Sequence, residues 1–144
     1  MKTSQKGIDL IKKFEGCKLK AYQCPAGIWT IGYGNTFYED NSKVKQGDTI
    51  TQDRANSLLL HLLPKFEAIV NKNVQATINQ NQFDALVSYV WNTGGSNTLY
   101  ELINSKSSDT SIRQWFETKY ITGGGKVLSG LVTRRKSEAD LYFS

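Results

Sequence analysis

Apolar residues set two different rhythms along the first third of the chain. Ile8, Leu10, Ile11 and Phe14 recur at helical spacing behind Thr3 and Ser4, two candidate N-caps, and predict a first helix over residues 4–14. Gly16 is the residue type that ends helices in the left-handed conformation, so Glu15 falls at the helix C-terminus. Residues 18–22 then alternate loosely, as a strand does. Cys24-Pro25-Ala26-Gly27 fits a type I turn, with Pro at its second and Gly at its fourth position, and residues 28–31 form the return strand. Period-two alternation puts Ile28 and Thr30 on one face and Trp29 and Ile31 on the other, which lets Thr30 stand near Cys24 across the hairpin.

From about residue 51 the helical rhythm takes over. Thr51 caps a helix with an apolar stripe of Ala55, Leu58, Leu59 and Leu62, which Pro64 either kinks or restarts as a new segment through Val70. Asn79 with Gln82 resembles a capping box. It opens a helix nearly continuous in apolar residues, Phe83, Leu86, Val87, Val90 and Trp91, which stops at Asn92-Thr93-Gly94-Gly95 and is expected to be the core of the domain. Helices over residues 97–104 and 109–119, a glycine linker at residues 123–125 and a last helix over residues 129–142 complete the pattern. A small hairpin beside five or six helices is an α+β domain.

Composition narrows the picture. A chain of 144 residues, 39% hydrophobic, suits one globular domain that buries roughly two-thirds of its unfolded surface. The net charge of +5 favours an anionic partner without choosing among nucleic acid, membrane surface and acidic polymer. The basic residues are scattered and no recognition motif accompanies them, which argues against nucleic acid. Two cysteines make no disulfide framework, and His61, the single histidine, leaves no zinc cluster, so neither a metal nor another cofactor is expected. No apolar run reaches the length of a signal peptide or a membrane span; the expectation is a monomer made in a bacterial cytoplasm, with no stable membrane insertion.

The chemistry concentrates in one stretch. At the C-terminal end of a helix the dipole disfavours negative charge, which suits a carboxyl that must carry a proton as general acid; Glu15 has that position. Glu15, then Cys24 nine residues on and Thr30 six further, lie inside Phe-Glu-Gly…Ala-Tyr…Trp-Thr-Ile-Gly-Tyr-Gly-Asn-Thr. This string resembles the catalytic region of phage-type lysozymes, the glycoside hydrolase family 24 muramidases. The likeness continues through Gln82-Phe-Asp-Ala-Leu-Val-Ser-Tyr-Val-Trp-Asn-Thr-Gly94, Thr98-Leu99 and Gly130-Leu-Val-Thr-Arg-Arg135 with Glu138, and so covers nearly the whole chain in order.

The resemblance implies a lysozyme-like fold, a hairpin lobe over about residues 15–50 and a helical part over 1–14 and 51–144, with the glycan in the groove between them. It implies an endolysin that hydrolyses the β-1,4 bond between N-acetylmuramic acid and N-acetylglucosamine in peptidoglycan, reaching the wall after a separate protein permeabilises the membrane. Glu15 would be general acid, Cys24 and Thr30 would hold the attacking water, and Trp91, Asn92, Gly94 and Thr98 would line the glycan site. Cys24 stands where the family usually has aspartate, so reasoning from two carboxylates does not carry over unaltered. That departure keeps a lytic transglycosylase, which needs one acid/base residue and leaves anhydro-muramic ends, as a rival; a non-catalytic wall-binding module is the alternative outside enzymes.

Plainer roles stand beside these. Glu15 alone reads as a solvated charge, Cys24 as a small packed thiol, and Thr30 as an ordinary strand residue. Cys17 reads as core filler, and a Cys17–Cys24 disulfide is not expected in a chain that starts in a reducing compartment. Trp91, Asn92 and Gly94 equally read as a core tryptophan and a helix stop. Arg134 and Arg135 can bind wall anions or steady Glu15, or Arg134 can pair with Glu138 four residues on.

Overall fold

Six helices and four short strands follow one another as α1 (Gln5–Glu15), β1 (Lys18–Gln23), β2 (Trp29–Gly32), α2 (Gln52–Asn73), α3 (Gln80–Thr93), α4 (Asn97–Asn104), α5 (Asp109–Thr118), β3 (Thr122–Gly123), β4 (Lys126–Val127) and α6 (Ser129–Tyr142). This computed structural model describes residues 1–144. The class is α+β, as the pattern predicts. Two units emerge from the packing, Lys12–Pro64 and Met1–Ile11 with Lys65–Ser144, so α1 and α2 each begin in one unit and end in the other.

In the unit Lys12–Pro64, β1 and β2 pair antiparallel through the predicted turn, closed by Gly27 N–H donating to the Cys24 carbonyl at 2.8 Å and Cys24 N–H donating to the Ile28 carbonyl at 2.9 Å. Gly27 takes φ +80, left-handed backbone that a residue without Cβ adopts cheaply, and this extra residue fixes the register. Ala21, Ile31, Val44 and Leu58 form the core of the unit, with Trp29, Tyr38 and Ile50 packed against them. Trp29 and Ile31 thus use the face that alternation assigns them. Thr51 caps α2 as predicted, its hydroxyl accepting from Arg54 N–H at 3.1 Å. Pro64 lies inside a continuous 22-residue helix. The buried stripe there runs through Leu63, leaving Leu62 half-buried.

In the other unit, α3 packs on α6, α6 on α5, and α5 on α4. The capping box at Asn79 and Gln82 forms in full, and α3 ends on Gly94 at φ +84. Every residue from Phe83 to Val90 is buried, which bears out α3 as a core helix. Two local readings are corrected. Thr3 is not a cap, its Oγ1–H donating to Glu67 at 2.8 Å; Ser4 does take the N-cap position, its carbonyl accepting from Ile8 N–H at 3.1 Å, but its N–H and hydroxyl both donate to the buried Asp84, whose charge faces the first turn of α1 in place of a side-chain acceptor on Ser4. The glycine stretch at 123–125 is a tight β3–β4 hairpin, with Gly124 at φ +58 and Gly125 at φ +78 supplying the positive dihedrals that a two-residue turn demands.

Candidate functional site

Glu15, Cys24 and Thr30 all belong to the unit Lys12–Pro64. Glu15 is the last residue of α1, half-buried, and Gly16 behind it takes φ +67 while its N–H still donates to the Lys12 carbonyl at 3.0 Å. The helix therefore stops with the carboxylate at its end. Gly34, at φ +90 beyond β2, has its backbone against this acid: a Cβ there would lie 3.5 Å from Glu15 Oε1. A side chain at that position would strain the backbone, while its Cβ would meet the carboxylate at ordinary contact distance.

Cys24 is placed by the turn and Thr30 by β2. The register corrects one expectation in detail. Thr30 stands directly opposite Tyr22, and Gln23 opposite Trp29, so Cys24 is the diagonal neighbour of Thr30 on the same face. The predicted proximity survives, because diagonal neighbours on an antiparallel pair still reach one another. Backbone N–H groups of Ile28 and Ala26 and the Thr30 hydroxyl hydrogen-bond the Cys24 sulfur, and together they hold its ionisation below the usual thiol range against the opposing effect of burial. Thr30 is only 4% exposed, and its Oγ1–H donates to the Ile28 carbonyl at 3.0 Å. A hydroxyl has one proton, so Thr30 can offer it to Ile28 while the thiol is neutral and to the sulfur once the thiolate forms.

Tyr22 is a member of this face that carries no role in the sequence reading. Its phenol ionises less readily than usual because of burial first, then because negative charge at Cys24 and at Glu15 opposes phenolate. The tyrosine of the Ala-Tyr pair is visible in the motif string, but only the register puts it opposite Thr30. Cys17 and Cys24 are both free thiols.

The other four predicted residues lie in the unit Met1–Ile11 with Lys65–Ser144. Asn92 lines an open cavity of about 250 Å³ together with Thr93, Tyr120, Thr122 and Leu131, and its Oδ1 accepts from Arg135 Nη2. Trp91 tilts against Phe66, ring centroids 4.8 Å apart, and Gly94 closes α3 by donating to the Val90 carbonyl at 2.8 Å. Thr98 is exposed in the first turn of α4, where the cap is Ser96. Arg134 and Arg135 both pair with Glu138, at 3.3 and 2.8 Å, and the Ser88 hydroxyl donates to the same carboxylate at 2.6 Å. Burial pushes the Glu138 carboxyl upward, and the two guanidiniums pull it back.

The phage lysozyme family model matches residues 12–138. The chain belongs to the phage lysozyme family. It is accordingly a peptidoglycan-degrading enzyme of lysozyme type. An endolysin of Acyrthosiphon pisum secondary endosymbiont phage 1 is 36% identical, the alignment covering 100% of this chain and 99% of that protein. Among solved structures, an endolysin from Escherichia coli O157:H7 phage FAHEc1 superposes with a TM-score of 0.88 at 38% identity, over 100% of this chain and 94% of the other. The muramidase domain of SpmX from Asticaccaulis excentricus superposes with a TM-score of 0.86 at 33% identity, over 99% and 98% of the two chains. No helix of this lysozyme-family chain is long and apolar enough to cross a membrane.

Proposed function

We propose that this enzyme hydrolyses the β-1,4 bond between N-acetylmuramic acid and N-acetylglucosamine in peptidoglycan, acting as a monomeric endolysin on wall exposed by membrane permeabilisation. The observation that carries the chemistry is the hairpin face itself: one carboxyl at the end of α1, and a thiol whose ionised form is favoured by two backbone N–H groups and the Thr30 hydroxyl. Glu15 gives its proton to the glycosidic oxygen as the C–O bond breaks and the bond's electron pair goes to that oxygen. Water attacks the anomeric carbon and passes its proton to the Cys24 thiolate, with Thr30 accepting the water's second hydrogen bond. A thiolate can do the task of the family's usual aspartate because it is an anionic acceptor; the nearby N–H donors make it available closer to neutral pH than a free thiol. In the helical unit, Asn92 offers its amide to the glycan from the cavity it lines, Trp91 and Gly94 shape the end of α3 beneath it, and Thr98 contributes a hydroxyl from α4. That a similar structure is a muramidase domain supports this choice of bond.

Digestion of purified peptidoglycan followed by mass analysis of the sugars tests the reading. New reducing ends that carry one added water are expected. Anhydro-muramic ends would replace hydrolysis by the transglycosylase reaction, and release of amino acids from intact glycan would move the cut away from the sugar bond altogether.

A further inference from the structure

The attacking water poses a donor problem. A water molecule offers two protons and two lone pairs, and here both named side-chain partners take protons from it: the Cys24 thiolate is an acceptor, and Thr30 spends its own proton on Ile28 or on the Cys24 sulfur. With acceptors alone, the water can pivot about them and its lone pair is not aimed. A fixed orientation requires one donor on the same face.

We propose that Tyr22 is that donor, a water-positioning residue whose phenol O–H holds the nucleophile between Cys24 and Thr30. The proposal rests on the hydrolytic reading above. Three observations support it. Tyr22 is the direct cross-strand partner of Thr30, the position at which side chains of an antiparallel pair lie nearest one another. It is two residues before Cys24, at the end of β1, where alternation returns the chain to the same face. It is also 39% exposed, so the residue is not sealed away from solvent. Burial first, then negative charge at Cys24 in the turn and at Glu15 on α1, opposes phenolate, so the O–H is kept. Tyr22 is thus a permanent donor and not a proton shuttle.

The test uses Tyr22→Phe in the full chain, with two readouts. On purified glycan strands, kcat should fall about tenfold, the loss of one well-placed hydrogen bond in the transition state, while KM stays within about twofold. The melting temperature should not change, since the ring is kept. Independently of activity, tyrosines labelled with carbon-13 at Cζ report each phenol by NMR, and the resonance missing in Tyr22→Phe identifies Tyr22. Its titration midpoint should move down in both Cys24→Ala and Glu15→Gln. A Tyr22→Phe enzyme that turns over at the parent rate overturns the proposal, and so does a Tyr22 midpoint that ignores both substitutions. If the parent protein releases no sugar from peptidoglycan, it is the hydrolytic reading that fails, and the NMR arm still reads whether the phenol faces the two acids.

Discussion

The two units treat polar groups in opposite ways. In Lys12–Pro64 the two acidic side chains of the site, Glu15 and Cys24, are held at a helix end and a turn, beside Gly16 and Gly27 in left-handed backbone, and are only half-buried, with Thr30 of β2 the buried member of the group. In the helical unit the polar groups are driven inward: Arg134, Arg135, Glu138, Ser88 and Asp84 are all buried and pair with one another or with a helix terminus. The first arrangement leaves protons transferable. The second locks them up, so its substitutions should be felt as stability and those of the first as rate.

The largest expected effect is on the hairpin side. Glu15→Gln keeps shape and hydrogen bonding but removes the transferable proton, and the rate of peptidoglycan digestion should fall by about 10²–10⁴-fold with the thermal transition unmoved. A variant that digests wall at near the parent rate would take Glu15 out of the acid role and dissolve the contrast. On the helical side, Glu138→Gln should leave two buried guanidiniums short of their counter-charge and cost about 3–5 kcal/mol of stability, read as a drop in denaturant midpoint. An unchanged midpoint would mean that the cluster is not what holds α6 to α3.

Cys24 sharpens the comparison from the middle of the scale. Cys24→Asp should keep or raise activity, since a carboxylate with a reference pKa of about 3.9 is fully ionised at neutral pH. Cys24→Ala should lose about tenfold or more, because the water then has no anionic acceptor. Thiol alkylation should inactivate the parent enzyme, and Cys17→Ala should not protect it. If Cys24→Ala and alkylated enzyme both cleave at the parent rate, the thiol is packing, and the single-acid transglycosylase route becomes the better account.

How much of this the chain announces depends on how far apart the partners are. The turn at Cys24–Gly27, the capping box at Asn79 and the stop at Gly94 were all legible because their signals lie within four residues. Thr3 and Ser4 look like side-chain caps, but their acceptors, Glu67 and Asp84, lie 64 and 80 residues away, and no local pattern can name them. Cys24 and Thr30 were placed on one face by alternation, yet alternation is blind to register; the left-handed Gly27 sets it and gives Thr30 to Tyr22. α6 hides its inward face from a hydrophobic reading, because that face is built of Arg134, Arg135 and Glu138 beside Ala139 and Tyr142. Pro64 looks like a break, but a proline removes a single donor and α2 carries on through it.

The smallest effect concerns a contact that belongs to neither pattern, Tyr38 with Asp48 in the hairpin unit. Asp48 accepts from Lys45 N–H at 3.0 Å and from the Tyr38 hydroxyl at 2.7 Å, which holds its carboxyl below the usual range, while burial and the facing carboxylate push the Tyr38 phenol up to about 12. The signs are opposite at the two ends of the pH scale. A depressed carboxyl contributes stability above the ordinary value of about 3.9 and loses it as pH falls through the lower folded value; a raised phenol contributes in full below about 10 and loses it as pH rises toward the folded value. The melting temperature should therefore decline at both extremes. Asp48→Asn cannot titrate and should flatten the acid limb. Tyr38→Phe should flatten the alkaline limb but leave part of the acid one, since Lys45 N–H still binds the carboxylate. Both shifts should be small beside that of Glu138→Gln, because Asp48 sits near solvent. An Asp48→Asn curve parallel to the parent's throughout the acid range would show that the loop draws no net stability from this pair, leaving the polar groups of the hairpin unit to chemistry alone.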